Sequence, residues 1–323
     1  MSAAESRVDC ELGEFSVSAA GDGPAIRRVI DNSHPPAATV DSGDVVAFRC
    51  PGLPLPPEAT LADFEAFNTE QPHTIIGPVH VRGAEPGDTL VAEILAVRLG
   101  QSYGHTTVVR GFGLLGDEVP ESFIHNFSWE EGATSVALCD GVEVPLDPFC
   151  GILGVMPAEP GPHTTLPPRA NGGNIDIRHL VAGATLYLPV AVPGAGFFAG
   201  DGHGAQGDGE ICISALETAV EAKIRLSVQK GRTIRQPHLS TAGPLNVDGS
   251  RGYYATTGIG PDLYECSREA VRGMVETLVS ERGLLWREAY VLCSLAVDLK
   301  ISEIVDAPNW VVSAYLPQSV FKD

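Results

Sequence analysis

The run Gly200–Glu210, GDGHGAQGDGE, carries the densest chemistry in the chain, with Asp201, His203, Gln206, Asp208 and Glu210 set among glycines. Asp201 and His203 are two apart, so an extended backbone puts both on one face. Glycines let the chain turn sharply and bring several side chains to one point. Polar groups crowded this way repel unless something cationic or protic sits among them, and a divalent metal is the simplest solution. Imidazole with carboxylates suits zinc, manganese or iron; carboxylates with carbonyls suit calcium or magnesium. The plainer alternative is a solvated acidic turn with a surface histidine. The glycine density and the apolar flanks, Phe197, Phe198, Ile211 and Ile213, favour a site. Glu217, on the following segment, is either a further ligand or base, or a surface glutamate.

A second cluster is PPRANGGNID at 167–176, where Asn171, Asn174 and Asp176 surround two glycines. Carboxamides donate and accept in fixed geometry, which suits a small polar substrate. Asn also tolerates left-handed backbone, so tight-turn chemistry competes with that reading. His34, His73, His163 and His179 are further candidates.

Other motifs fail on context. Gly100-Gln-Ser102-Tyr-Gly104 has the spacing of a nucleophile elbow, but the elbow needs a helix after the serine, and Thr106–Val109 reads as a strand. Gly111, Gly113 and Gly116 have dinucleotide-loop spacing, yet Asp117, Glu118 and Pro120 follow where a helix should meet a pyrophosphate. Gly202, Gly204 and Gly207 meet the same objection amid Asp201 and Asp208. The seven cysteines are scattered without a CxxC, which argues against a disulfide framework or a thiolate zinc site and for a reducing, cytoplasmic setting.

The elements that must position these residues are mostly strands. The 36 glycines and 25 prolines in 323 residues imply many turns. Short apolar stretches lie between turn signals at 45–48, 75–81, 90–97, 106–109, 135–138, 152–155 and 186–192, the pattern of a β-sandwich or barrel-like body. The 90–97 stretch alternates imperfectly and is expected to be buried on both sides. Residues 219–230 alternate cleanly, as a half-exposed strand does. The Gly/Pro-rich stretches 157–173 and 193–209 read as long, functional loops. After about residue 260 the period changes. Asp262 and Glu265 resemble a capping box, Ala270, Val271, Met274, Val275, Leu278 and Val279 fall at helical spacing, and Gly283 stops the helix. A second helix over 287–294 and strands at 297–301 and 310–316 complete a C-terminal α+β portion. The division expected is a β-rich body over 1–210 and an α+β portion over 211–323, with interleaving allowed. With 21 Lys and Arg against 41 Asp and Glu, the net charge of −20 repels nucleic acid and anionic lipid. No signal-like segment or bilayer-spanning apolar run is present in the sequence.

PPRANGGNID, LYLPV at 186–190, GDGHGAQGDGE and ALE at 215–217 together resemble the acetamidase/formamidase family. VDSGD at 40–44, GPVHVRGAEPGDTL at 77–90, AVDLKISEIVD at 296–306 and YLP at 315–317 extend the resemblance over roughly 30–318. His80 and Arg82 stand where acidic or neutral residues are commoner, and 100–135 aligns with nothing in the family pattern, so that region is expected to shape the pocket. The resemblance implies hydrolysis of short aliphatic amides to carboxylate and ammonia, a β-rich fold, bound zinc or calcium, and a homodimer or higher homo-oligomer. Hydrolysis of a larger amide, or a non-catalytic metal- or ligand-binding β module, are the alternatives. Chemistry placed onto the matching motifs makes Asp176, Asp201 and His203 metal ligands, with Glu217 possible. Glu210 becomes the base and acid, with Asp208 able to exchange roles, while Asn174, Gln206 and His73 bind substrate.

Overall fold

A computed structural model of the chain describes residues 7–15, 23, 25–66, 73–241, 252–303, 308 and 310–322. The end of the AVDLKISEIVD match, 304–306, lies outside them. The alternation read at 219–230 forms the strand Val220–Gln229, whose even positions from Val220 to Leu226 are buried. It pairs antiparallel with Val45–Cys50 on one side and Thr89–Leu99 on the other. Cys10–Gly13, Thr185–Pro189 and His238–Ser240 extend this sheet. The strand over 90–97 is buried on both faces only in its first half; beyond Ile94 its residues are half-buried, with Val97 still packed against the core.

A second sheet runs Gly172–Asn174, Phe149–Gly154, Phe197–His203, Ile75–Val81, Ile26–Arg27, with Ala38–Val40 alongside Ile75–Val81. Its inner face closes on the first sheet through Ile76, Val79, Leu153 and Ala199 against Val46, Leu90, Ala222 and Ile224. Phe48 and Phe197 meet edge-on across that core at 5.4 Å. The body is therefore a β-sandwich, as the punctuation of short strands implies.

A separate core gathers Val108, Phe127, Val136 and Val144 with the C-terminal elements. The helix Leu263–Arg282 opens with the Asp262 side chain accepting from Glu265 N–H at 3.0 Å and closes on Gly283 at φ 70°. Its buried stripe is Cys266, Ala270, Val271, Met274, Val275 and Leu278; Val279, expected in the stripe, is 38% exposed at its edge. The helix Trp286–Ala296 is buried along most of its length. A three-stranded sheet, Tyr253–Gly260, Trp310–Pro317, Asp298–Glu303, completes this portion. The unaligned region contributes here: Tyr103–Val108 pairs with Phe123–Ser128, and Val108, Leu115, Val119 and Phe127 enter the second core.

One excursion joins the two cores. The chain leaves the sandwich after His203, gives Ala205, Ile211, Cys212 and Leu216 to the second core, and re-enters the sandwich at Val220. Residues on both sides of position 210 thus contribute to the second core. The stretch 193–209, read as a loop, contains the strand Phe197–His203. Its glycines serve close approach rather than looseness. A Cβ on Gly202 would stand 2.3 Å from the Thr218 carbonyl oxygen, and one on Gly207 would stand 2.1 Å from that of Val297. All seven cysteines are free. Among the described residues no helix is long and apolar enough to cross a membrane.

Gly207→Ala forces a methyl into a backbone carbonyl with no flexible side chain to yield. It is expected to destabilise the protein by about 1–3 kcal/mol in urea unfolding. A midpoint equal to that of the native protein would refute the close approach.

Candidate active site

Backbone register builds the site as a row. Phe149 pairs with His203, His203 bridges Glu217, and Glu217 bridges His105, which pairs with Asn126. Directly opposed residues on paired strands place their side chains on one face. The Phe149 ring accordingly packs edge-on to His203 at 5.0 Å, and His203 Nε2 lies 3.4 Å from Glu217 Oε2. Asp201, two residues before His203, brings Oδ2 to 3.3 Å from the same nitrogen, and Glu210 Oε1 stands at 4.0 Å. Asp176, His203 and Glu210 form one grouping, and Asp201, His203 and Glu217 another, with His203 common to both. The predicted set Asp176, Asp201, His203, Glu217 and Glu210 is thus assembled around one buried imidazole.

Gln206 fixes that imidazole. Its Oε1 lies 2.9 Å from His203 Nδ1, and its Nε2 donates to the Asp176 carbonyl at 2.8 Å. A carboxamide oxygen only accepts, so Nδ1 carries the proton and Nε2 faces the carboxylates. Both polar ends of Gln206 are therefore engaged inside the protein, and its oxygen orients His203. Glu217 is held similarly, with Oε1 accepting from Ser214 Oγ at 3.2 Å and Ala215 N–H at 3.0 Å.

Backbone strain concentrates here. Asp176, Asp201 and Glu210 adopt φ of 45°, 56° and 43°, three of the five non-glycine residues at positive φ among those described. L-residues hold that conformation only where the surroundings over-determine it. Gly151 keeps the centre open: a Cβ there would lie 2.5 Å from Asp176 Oδ1 and 2.9 Å from Asp201 Oδ2.

The other expected residues sit apart. Asp208 directs its carboxylate to His179 Nε2 at 3.6 Å and Lys300 Nζ at 3.9 Å, and belongs to neither acid–histidine grouping. His73 Nε2 stands 4.0 Å from Asp201 Oδ2, at the edge of the cluster. Asn174 pairs with Ile152, one residue out of step with Gly151, and its Oδ1 is buried without a partner. Ser102 precedes the strand Tyr103–Val108 and lines a separate cavity of about 580 Å³ with Arg98, Gln101 and Trp129, so no nucleophile elbow forms. Sequence reasoning missed Gly151, Ser214 and His105. His105 is buried, with Nδ1 2.9 Å from Asn126 Oδ1. Strand pairings bring Gly151 and His105 to the cluster, whereas Ser214 reaches Glu217 from three residues before it.

Burial lifts the Asp176 carboxyl to about 7, with Asp201 and Glu217 adding to the rise against the pull of His203. Burial and Asp176 raise Glu210 well above the usual carboxylate range. Burial also works to raise Asp201, but His73 and His203 outweigh it and hold its carboxyl low. Burial works to lower His203, and Glu217 with Asp201 overcomes it and raises the imidazole well above its ordinary value. Burial pushes the nearby Cys212 thiol up to about 12, so it is no nucleophile.

The sequence pattern of the acetamidase/formamidase family matches residues 30–163 and 160–323. The chain belongs to the acetamidase/formamidase family. It is 26% identical to a formamidase of Methylophilus methylotrophus over 89% of this chain and 87% of that one. Among solved structures, an acetamidase of Bacillus halodurans is 31% identical, covers 90% of this chain and 95% of its own, and superposes with a TM-score of 0.62. A gamma lactamase from Delftia acidovorans, 24% identical, shares the fold with a TM-score of 0.86 over 94% of this chain and 90% of its own.

In this acetamidase/formamidase-family chain the donor set fits a divalent cation. His203 Nε2 and Asp176 Oδ1 are buried with no hydrogen-bond partner. Ligand atoms held about 2.0–2.2 Å from one ion lie about 3.0–3.5 Å from each other. The 3.3 and 3.4 Å separations of Nε2 from Asp201 and Glu217 fall in that range.

Without a cation the cluster should make stability depend on pH. Folding lifts Asp176 from 3.8 to about 7, so the folded protein holds a proton that the unfolded chain has released. That stability is full below 3.8 and lost as pH rises through about 7. Glu210 acts in the same direction, and His203 adds a loss at higher pH. Asp201 acts oppositely, losing its contribution only as pH falls below the ordinary carboxylate range. The metal-free melting temperature is therefore expected to fall between about pH 4 and 7, with Asp176→Asn flattening the slope. A native-like slope in Asp176→Asn would count against the assignment.

Proposed function

We propose that this chain hydrolyses short aliphatic primary amides of the formamide and acetamide class to carboxylate and ammonia. Family membership and the names of its relatives support the reaction class. The observation that carries the site assignment is the buried His203 nitrogen without a partner, set among the carboxylates of Asp176, Asp201, Glu210 and Glu217. Asp176, Asp201, His203 and Glu217 would hold a divalent cation, and the imidazole in the set favours zinc or a similar transition metal over calcium. Such an ion, when bound, acidifies water and polarises a carbonyl.

The chain's own residues perform the proton work. Glu210 takes a proton from the water that attacks the carbonyl carbon. As the C–N bond breaks, Glu210 returns that proton to the nitrogen, which leaves as ammonia. A carboxyl raised by burial suits both roles near neutral pH. Asp201, kept ionised beside His73 and His203, remains an anionic anchor throughout. Gln206 holds His203 in the tautomer that points Nε2 inward. Ser214 touches Glu217 and donates to its Oε1, which holds that carboxylate in place. A cytoplasmic location, suited to seven free thiols, and self-association into a homo-oligomer belong to the same proposal.

Ammonia release from formamide and acetamide, followed through chelation and metal restoration, tests the reading. Activity should vanish with chelator and return with one metal. Persistence through complete metal removal would recast Asp201, His203 and Glu210 as acid–base machinery alone. His203→Ala should lose both metal and turnover. Glu210→Gln should keep the metal while kcat falls by about 100-fold or more; a metal-free Glu210→Gln protein would make Glu210 a ligand instead. Gln206→Leu should weaken metal binding by about 10- to 100-fold in calorimetry.

A further inference from the structure

Asp298 begins the C-terminal strand Asp298–Glu303, outside the groupings around His203, yet it is only 5% exposed. Its Oδ1 accepts from Arg178 Nη1 at 2.5 Å and from the Asp208 backbone N–H at 3.2 Å. Arg178 lies two residues beyond Asp176, and Asp208 two before Glu210. One carboxylate therefore joins the two segments that carry a proposed ligand and the proposed base. The surrounding backbone leads to the same turn. Gly207 N–H donates to the Ser294 carbonyl at 2.7 Å, and Leu299 N–H donates to the Asp208 carbonyl at 3.1 Å. The start of the turn Gly207–Glu210 is thereby fastened to 294–299, and Glu210 follows at its strained φ of 43°.

We propose that Asp298 is a positioning residue: through Arg178 and the Asp208 N–H it sets the spacing between Asp176 and Glu210. The proposal rests on the amidase reading of the site. The apolar packing of this strand comes from Val297 and Leu299, which the carboxylate does not assist. Buried charge is costly unless it is paired, and Asp298 is paired with Arg178, with Lys300 Nζ a further 3.7 Å from its Oδ2. The group thus joins segments that the hydrophobic core alone leaves independent. Displacing Glu210 relative to the other carboxylates removes an interaction needed for proton transfer and leaves ground-state binding intact. The loss should fall on kcat and spare KM.

Formamide kinetics of Asp298→Asn and Arg178→Gln test this. Each should lower kcat by about 10- to 100-fold. KM should stay within about threefold of the native value. Glu210→Asp keeps a carboxylate but draws it back from its position. In that background Asp298→Asn should cost less than about twofold more, because two changes that act through one group do not add. An unchanged kcat, a loss confined to KM, or the full loss repeated in Glu210→Asp would overturn the proposal. If Asp298→Asn does not fold, Arg178→Gln, altered at a partly exposed side chain, decides by the same criteria. A native protein that releases no ammonia would overturn the amidase reading and this proposal together. Loss of the positioning role alone requires an active native protein with indifferent variants.

Discussion

Four largely buried carboxylates gather around one fully buried imidazole, and that electrostatic demand governs the rest of the molecule. Each charge taken out of water costs several kcal/mol unless something offsets it. A single His203 cannot balance Asp176, Asp201, Glu210 and Glu217. The metal-free cluster meets the demand by dividing the carboxylates. Asp176 and Glu210 are pushed toward their protonated forms, while Asp201 is kept ionised by His73 and His203. Carboxylates whose environments drive them apart are the arrangement from which acid, base and anchor roles emerge. A cation among the same oxygens would satisfy the demand with positive charge in place of shared protons.

Holding that cluster requires a backbone under constraint. Left-handed conformation at Asp176, Asp201 and Glu210 costs about 1–3 kcal/mol each. Neither core alone spans the three residues. Asp201 belongs to the sandwich, Glu210 to a turn fastened onto 294–299, and Asp176 to the segment whose N–H bonds reach Gly151. The excursion from His203 to Val220 makes both cores act on the site at once. Strain that one core could relax is trapped between two.

The sequence exposed the parts of this design that are local. Asp201 and His203 share a face because they are two apart on a strand, and Asp176 is marked by its neighbouring glycines. The clean alternation over 219–230 is visible because one face of Val220–Gln229 meets the core and the other does not. The strand Phe197–His203 was hidden for a related reason: its glycines look like loop residues, whereas they admit the Thr74 and Thr218 carbonyls. Asp208 and Glu210 were interchangeable on paper, since spacing in a turn does not say which side chain points inward. The fastening of the Asp208 backbone to Asp298 and Leu299 turns its carboxylate toward His179 and Lys300. Gly151 and Asp298 were invisible because they reach the site through residues far along the chain.

The charge distribution fits a reaction on neutral molecules. A surface of net charge −20 gives no long-range steering to an uncharged amide, but it raises the local concentration of cations. An anionic substrate would need a free guanidinium or ammonium near the cluster. Arg178 and Lys300 are already committed to Asp298 and Asp208. Their positive charge is engaged in holding these segments in place. The field that draws a divalent cation toward the buried carboxylates also favours ammonium over the carboxylate product near the surface. Of the two products of the proposed hydrolysis, the carboxylate is the one the protein repels.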